Sequence, residues 1–527
     1  MKFYEIDNAL QEAVTAAEKP VRLKIEIELG GHFQSVFEQD IIEANFYSLK
    51  EAAGGVSSRG EVLIDNSCGF FAENLHPCRF SAGSFCNAKT PAKALDTAAS
   101  MPRGYGSGLQ VKVSFSIGEG LPYFQRFLFF VDEKGIQEIK GSGRKKIVRL
   151  DLRDLSARLK KTDEARDWTS PAVFTYSVVC DKTLPEKSLV HGIAKRAGLE
   201  VSDIDCSTIP VTLPFIRLRR NIWAELSSLT TTYRCHLECA PEKPLVFAHS
   251  PYQVEPLAEN EFSHTFYGNE IFYLRKIERA ELYRNTVRLK INMPVSLEKQ
   301  EIWRYDDLPI FYDDNLQAYY PFKSGLFREI ENGLYEAKYK IIDTNGKERN
   351  VVYADEIDDR EEADNRLEFD GGAFYYSFYD VTTNYDRASL TLHKDNEGDL
   401  YKAVIHGRPI VLDLNRSCFL RDEDEITNYG TAALNVTGAY FSEYEIDGVP
   451  QYEDWVIREL AERIQNKREF TIKTHKAIFN SRVGAKVKIE MSNEKLSGTI
   501  NALSYRYKRD RAFVASFRIT EGVNNEI

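Results

Sequence analysis

A chain of 527 residues, 43% hydrophobic and 28% charged, is longer than one hydrophobic core supports, so three or four domains are expected. Its net charge of −11 argues against a nucleic-acid groove as the main business. No run reaches the roughly eighteen apolar residues of a membrane span. Eight cysteines scattered through so long a chain make neither a disulfide scaffold nor a dense metal framework, and a reduced intracellular origin fits them.

The opening MKFYEIDNALQEAVTAAEK predicts a polar amphipathic helix over 8–19 that stops at Pro20, without the apolar stretch of a signal peptide. In VRLKIEIEL, Val21, Leu23, Ile25, Ile27 and Leu29 alternate with charged residues, which predicts a strand with one wet face. DIIEANFYSL, EVLIDN, GLQVKVSFSI, LPYFQRFLFFVDE and KKIVRLDLRDL read as further strands, with long loops from Cys68 to Gly108. Residues 1–160 therefore form a helix and an antiparallel β-barrel or sandwich.

The period then changes. Leu189, Ile193 and Ala197 make one helical stripe, and Ile222, Leu226 and Leu229 make another. TYRCHLEC and PEKPLVFA read as two strands joined by a turn, so 165–255 is a small α/β domain. Residues 256–425 return to β, with hairpin signals at Asn345-Gly346 and Glu397-Gly398. Residues 426–527 carry a helix and a last β-domain, in which Phe513, Ala515, Phe517 and Ile519 share a face. The fold class is mainly β with an α/β insertion: several barrel or sandwich domains plus the small α/β domain. No tandem repeat stands out.

Catalytic signals are weak. Cys235-His236-x-x-Cys239 suggests a metal, but the second close ligand pair that zinc favours is absent from the sequence nearby. The acidic runs 355–370 and 395–399 lack the spacing of a calcium loop and read as solvated loops. No GxSxG or HExxH occurs, and GYGSG (104–108) and GSGRKK (141–146) lack a strand–helix setting for phosphate. No catalytic, cofactor-binding or metal-ligating residue is assigned, and the chain is not expected to be an enzyme.

The order of elements carries more than any one residue. VRLKIEIEL, DIIEANFYSLKEAAGG, EVLIDN, GLQVKVSFSI and RKKIVRLDLRDLSARL resemble the opening barrel of the tail hub proteins of bacteriophages and contractile injection particles. Asp151, Leu152, Asp154 and Leu155 match that family's short helical motif. SLVHGIAKRAGLE, Ile209-Pro210-Val211 and RRNIWAELSSLTTTYRCHLEC resemble its α/β insertion, with Glu242-Lys243-Pro244-Leu245 where Gly-Lys-Leu is usual. The closing pattern is Ile426, Tyr429 and Gly430 after the acidic turn RDEDE, then the helix QYEDWVIRELAERIQ, then a strand introduced by Gly484. Residues 300–415 have no counterpart and read as a lineage-specific insertion.

The resemblance implies a baseplate or tail-tip hub in a virion tail, assembled in the host bacterial cytoplasm. It implies a homo-oligomer, a trimer, whose barrels mimic a six-fold tube ring. Its partners are then the tail tube, the spike or tip and other baseplate proteins. DNA meets it only in transient passage through a lumen, which an acidic balance allows. The alternative is a carbohydrate-binding β-protein of a tail tip or cell surface, with a latent hydrolase site and Tyr305, Phe311, Tyr312, Tyr319 and Tyr320 as its sugar platform.

Overall fold

The computed structural model describes residues 20–522 apart from 66–108, 162–172, 250–261, 307–326, 358–375, 395–401 and some shorter breaks. The expected helix over 8–19, the loops from Cys68 to Gly108, the phosphate-like GYGSG and the Glu397-Gly398 turn lie outside the described residues. The protein is mainly β. A first β-unit contains β1 (Val21–Leu29), β2 (His32–Val36), β3 (Ile41–Lys50), β4 (Gly55–Asp65), β5 (Gln110–Ile117), β6 (Phe124–Lys140) and β7 (Lys146–Arg153). Alternation is the cause of their packing: Leu23, Ile25 and Ile27 point into the core while the residues between them are half-exposed.

The short helix α1 (Leu155–Leu159) follows, and the small domain begins at β8 (Val173–Cys180). It continues through α2 (Leu189–Arg196), β9 (Ile204–Cys206), β10 (Ile209–Arg217), α3 (Ile222–Tyr233), β11 (Cys235–Glu238) and β12 (Leu245–His249). Both helical stripes are buried, and β11 and β12 pair antiparallel. The domain joins the first unit where β11 runs parallel to β4, Leu237 opposite Gly55. A Cβ on Gly55 would lie 2.5 Å from Trp223, so this close approach requires glycine.

A second β-unit starts with β13 (His264–Tyr267) and β14 (Ile271–Glu278) and is then interrupted. The interruption holds β15 (Thr286–Ile291), β16 (Met293–Ser296), β17 (Gln300–Asp306), β18 (Phe327–Glu331), β19 (Leu334–Lys338), β20 (Lys340–Ile342) and β21 (Glu348–Asp355). It continues with β22 (Tyr376–Asn384), β23 (Arg387–Lys394), β24 (Lys402–Asp413), β25 (Ser417–Arg421), α4 (Glu423–Tyr429), β26 (Ala433–Gly438), β27 (Glu445–Ile446), β28 (Val449–Pro450) and α5 (Gln451–Gln465). Gly346, at φ 74°, serves the turn between β20 and β21. Helix α5 covers the sheet β25–β15–β26, burying Trp455, Val456 and Leu460 against Val287, Leu289 and Ile291.

The second unit then completes itself with β29 (Arg468–Thr474), β30 (Lys486–Met491), β31 (Glu494–Lys508) and β32 (Val514–Glu521). It shares one core with the first unit. Phe115 stacks on Phe479 at 4.6 Å between centroids, and Tyr505 lies 5.7 Å from Phe115 and 5.8 Å from Phe513. The buried Tyr505 hydroxyl donates to the Ile478 carbonyl at 2.7 Å, so the ring is anchored as well as packed.

The RDEDE stretch corrects one expectation. Arg421 ends β25, and Glu423 opens a helix, α4, where a turn was expected: Asp422 caps it by accepting from the Glu425 amide at 2.9 Å. Three acidic residues in the first turn suit the positive end of the helix dipole. Glu425 is more than surface charge, since it accepts from the Tyr283 hydroxyl at 2.9 Å and pairs with Lys467 at 2.7 Å.

Candidate assembly interface

The two β-units repeat one strand order. In the first, the path is β3-β4-β7-β6-β5 followed by β1 and β2; in the second it is β14-β29-β32-β31-β30 followed by β13. A single 3-10 turn precedes β3 (Glu38–Asp40) and another precedes β14 (Gly268–Glu270). β13 runs parallel to β30; β2 runs parallel to β5 because β1 lies antiparallel between them. The chain thus carries two copies of one architecture, the second split by residues 279–467.

The copies meet edge to edge. β3 pairs antiparallel with the C-terminal half of β31, from Glu43 opposite Lys508 to Leu49 opposite Ala502. Side chains reinforce the ladder: Arg506 reaches Glu43 at 2.8 Å and Lys508 reaches it at 3.7 Å. Burial raises the Glu43 carboxyl, but hydrogen bonds from Arg506 and Asn45 and the charges of Arg506 and Lys508 hold it below its ordinary range. The N-terminal half of β31 pairs with β30, so β31 serves its own unit and its neighbour in turn.

By the repeat, β14 is the counterpart of β3 and β6 the counterpart of β31. β14 pairs only with β29 among the described residues, which leaves its other edge open. Phe272 and Tyr273 on it are 52% and 40% exposed. Phe272 stacks on His475 at 4.3 Å, and Lys473 lies over the Tyr273 ring at 4.7 Å. β6 pairs with β5 only over Phe124–Phe130, while its remainder pairs with β7 alone among the described residues. Open edges of this kind invite another strand.

A shallow trough of about 830 Å³ crosses the β3–β31 junction on the sheet face away from the core. Arg59, Arg149, Arg153, Lys473 and Arg506 line it against two acids, Glu61 and Asp151, so this face does not share the acidic balance of the whole chain. Arg149 pairs with Asp151 at 2.9 Å and with Glu61 at 3.3 Å.

The metal-like Cys235-His236-x-x-Cys239 is not brought together as a site. His236 Nε2 lies 3.0 Å from the Glu238 carboxylate, and Cys235 Sγ donates to the Tyr233 carbonyl. The acidic runs lie almost wholly outside the described residues, as do the side chains of the sugar-platform aromatics Tyr305, Phe311, Tyr312, Tyr319 and Tyr320. Among the described residues, thiol and imidazole ligands converge instead at Cys180, His191 and Cys206, which sequence spacing does not reveal.

No family model and no curated protein matches the sequence. Solved structures match its fold. The 43 kDa tail protein of prophage MuSo2 from Shewanella oneidensis shares 9% identity, with 94% of this chain and 98% of that one covered and a TM-score of 0.45. The tail protein from Neisseria meningitidis MC58 shares 9%, with 95% and 97% covered and a TM-score of 0.43. The E. coli c3393 protein, a component of the type VI secretion system, shares 8%, with 95% and 77% covered and a TM-score of 0.38. The chain is similar to tail proteins over nearly its whole length.

Proposed function

We propose that this chain is a structural, non-catalytic hub of a phage or phage-like tail, joining the tail tube to the spike or tip assembly. The repeated strand order carries the reading. One joint, β3 to β31, is already made within the chain, and its counterpart, β14 to β6, is left open at both partners. When β14 of one copy pairs with β6 of the next, each copy adds two equivalent units to a growing ring. This heterologous contact closes if the rotation per copy divides a full turn. The resemblance to tail hubs makes the number three, so that six β-units face a six-fold tube from a virion tail. The lumen of such a ring passes DNA transiently.

Particle images and solution mass test this. The expected result is a ring of three copies, three times the 60.4 kDa chain mass, stacked on a tube. A stable monomer that binds glycans and joins neither ring nor tube sinks the reading.

A further inference from the structure

Three buried side chains of the small domain converge far in sequence from the open edges. Cys180 ends β8, Cys206 ends β9, and His191 lies in the first turn of α2. One ligand atom of each lies within 4.8 Å of the other two. The buried Ser188 hydroxyl is hydrogen-bonded to His191 Nδ1 at 2.7 Å. No carboxylate joins the cluster among the described residues. The neighbouring Asp181 accepts from Thr183 at 2.7 Å, and Asp205 pairs with Lys182 at 2.6 Å. That last pair clamps the two strand ends together beside the thiols.

We propose that Cys180, Cys206 and His191 bind a zinc ion, as two thiolates and one imidazole. The donor set selects the metal: thiolates and imidazole suit zinc, whereas magnesium and calcium require oxygen ligands. Charge selects it again. Two thiolates and one divalent ion sum to zero, the balance a dry pocket tolerates best. The thiol protons leave on binding. The Ser188 hydroxyl orients the imidazole in the way hydrogen-bonded partners do at metal sites, and a water completes four-coordination.

The position gives the ion a role. Among the described strands β8 pairs only with β10 as a two-stranded sheet, whereas β9 continues the main sheet through β12 and β11 to β4. The ion ties these two sheets and α2 at one point.

The test uses the full-length chain, purified under reducing conditions without chelator, with metal content measured by elemental mass spectrometry. Chelator-treated protein is then titrated with Co²⁺ as an optical probe. The expected results are about one zinc per chain and thiolate-to-cobalt charge-transfer absorption. Both should be lost in Cys180→Ser and Cys206→Ser and kept in Cys418→Ser. Chelation should also lower the melting temperature. Metal-free protein with no cobalt absorption overturns the proposal, even if every variant fails to fold. So does stoichiometric copper in place of zinc, an absorption unchanged by Cys206→Ser, or a Cys180–Cys206 disulfide in the protein as purified.

Discussion

Arg482 Nη1 lies 3.0 Å from Glu238 Oε1, and both side chains are buried. The pair fastens the second β-unit, just before β30, to β11 of the small domain. His236 shares the same carboxylate, and Arg126 of β6 donates to the Ser481 carbonyl at 2.9 Å, so three elements meet here. Burial pushes the Glu238 carboxyl up, but His236, Arg482 and Arg126 outweigh it and hold it at about 2.

Removing this carboxylate strands buried cations. Glu238→Gln is expected to cost about 3–5 kcal/mol at pH 7, the usual result of breaking a buried pair from one side. The depressed native pKa fixes the pH window. The carboxylate's contribution is complete above its ordinary value near 4.5 and is lost as pH falls toward about 2. Urea unfolding of both proteins should therefore show a gap at pH 7 that narrows below pH 4. A constant gap would place the loss elsewhere.

The open edge of β14 gives a second prediction. Phe272→Lys with Tyr273→Lys adds charge to two exposed positions, one of the ways natural sheets protect their edges. Unfolding stability should change by only about 0.5 kcal/mol, because neither ring is in the core. Assembly should fail, leaving a folded single copy in sedimentation. Rings that persist in the double variant would refute β14 as the joint.

Strand alternation made much of this fold legible. Leu23, Ile25 and Ile27 face the core as their spacing predicts, and α5 carries i,i+4 ion pairs, Asp454–Arg458 and Glu459–Arg463, both at 2.7 Å. The repeat was not legible. IIEANFYSLK and IFYLRKIE occupy equivalent places, yet a strand edge is made of backbone groups that any side chains can carry. Residues 279–467 also separate β14 from its partner β29. The thiol–imidazole cluster is hidden for a related reason: Cys180, His191 and Cys206 follow no ligand spacing and meet only because β8, α2 and β9 pack together. Helix α4 is different, since Asp422 three residues before Glu425 was a readable cap signal.

His264 on β13 predicts a mild acid sensitivity. Burial holds its imidazole down at about 4; Glu270 raises it slightly and Lys476 lowers it further. Between the ordinary value near 6.5 and about 4, the unfolded chain binds a proton that the folded chain refuses. Stability therefore falls as pH drops through that window, by up to about 1.4 kcal/mol per pH unit. His264→Phe keeps an aromatic ring beside Phe266, whose centroid lies 4.7 Å away. It should flatten the stability profile between pH 6.5 and 4. An unchanged slope would assign the sensitivity to other groups.

Asp154 offers the most discriminating substitution. Its Oδ1 caps α1 by accepting from the Ser156 amide at 3.1 Å, while Oδ2 accepts from the Ser58 amide of β4. The Ser156 hydroxyl also donates to Oδ1, so one carboxylate serves three donors on two elements. Burial pushes its pKa up to about 6, against the lowering effect of those bonds, so the group is ionised at pH 8. Asparagine is ordinarily an excellent cap, but it has one acceptor oxygen, and its amide nitrogen would confront the second N–H. Asp154→Asn is therefore expected to destabilise as much as Asp154→Ala, each by about 1–2 kcal/mol at pH 8. Were the cap alone at work, asparagine would restore nearly all of the stability that alanine loses. Guanidinium unfolding of the two variants separates these outcomes, and a near-normal asparagine variant would show that the Ser58 bond contributes nothing to holding α1 on β4.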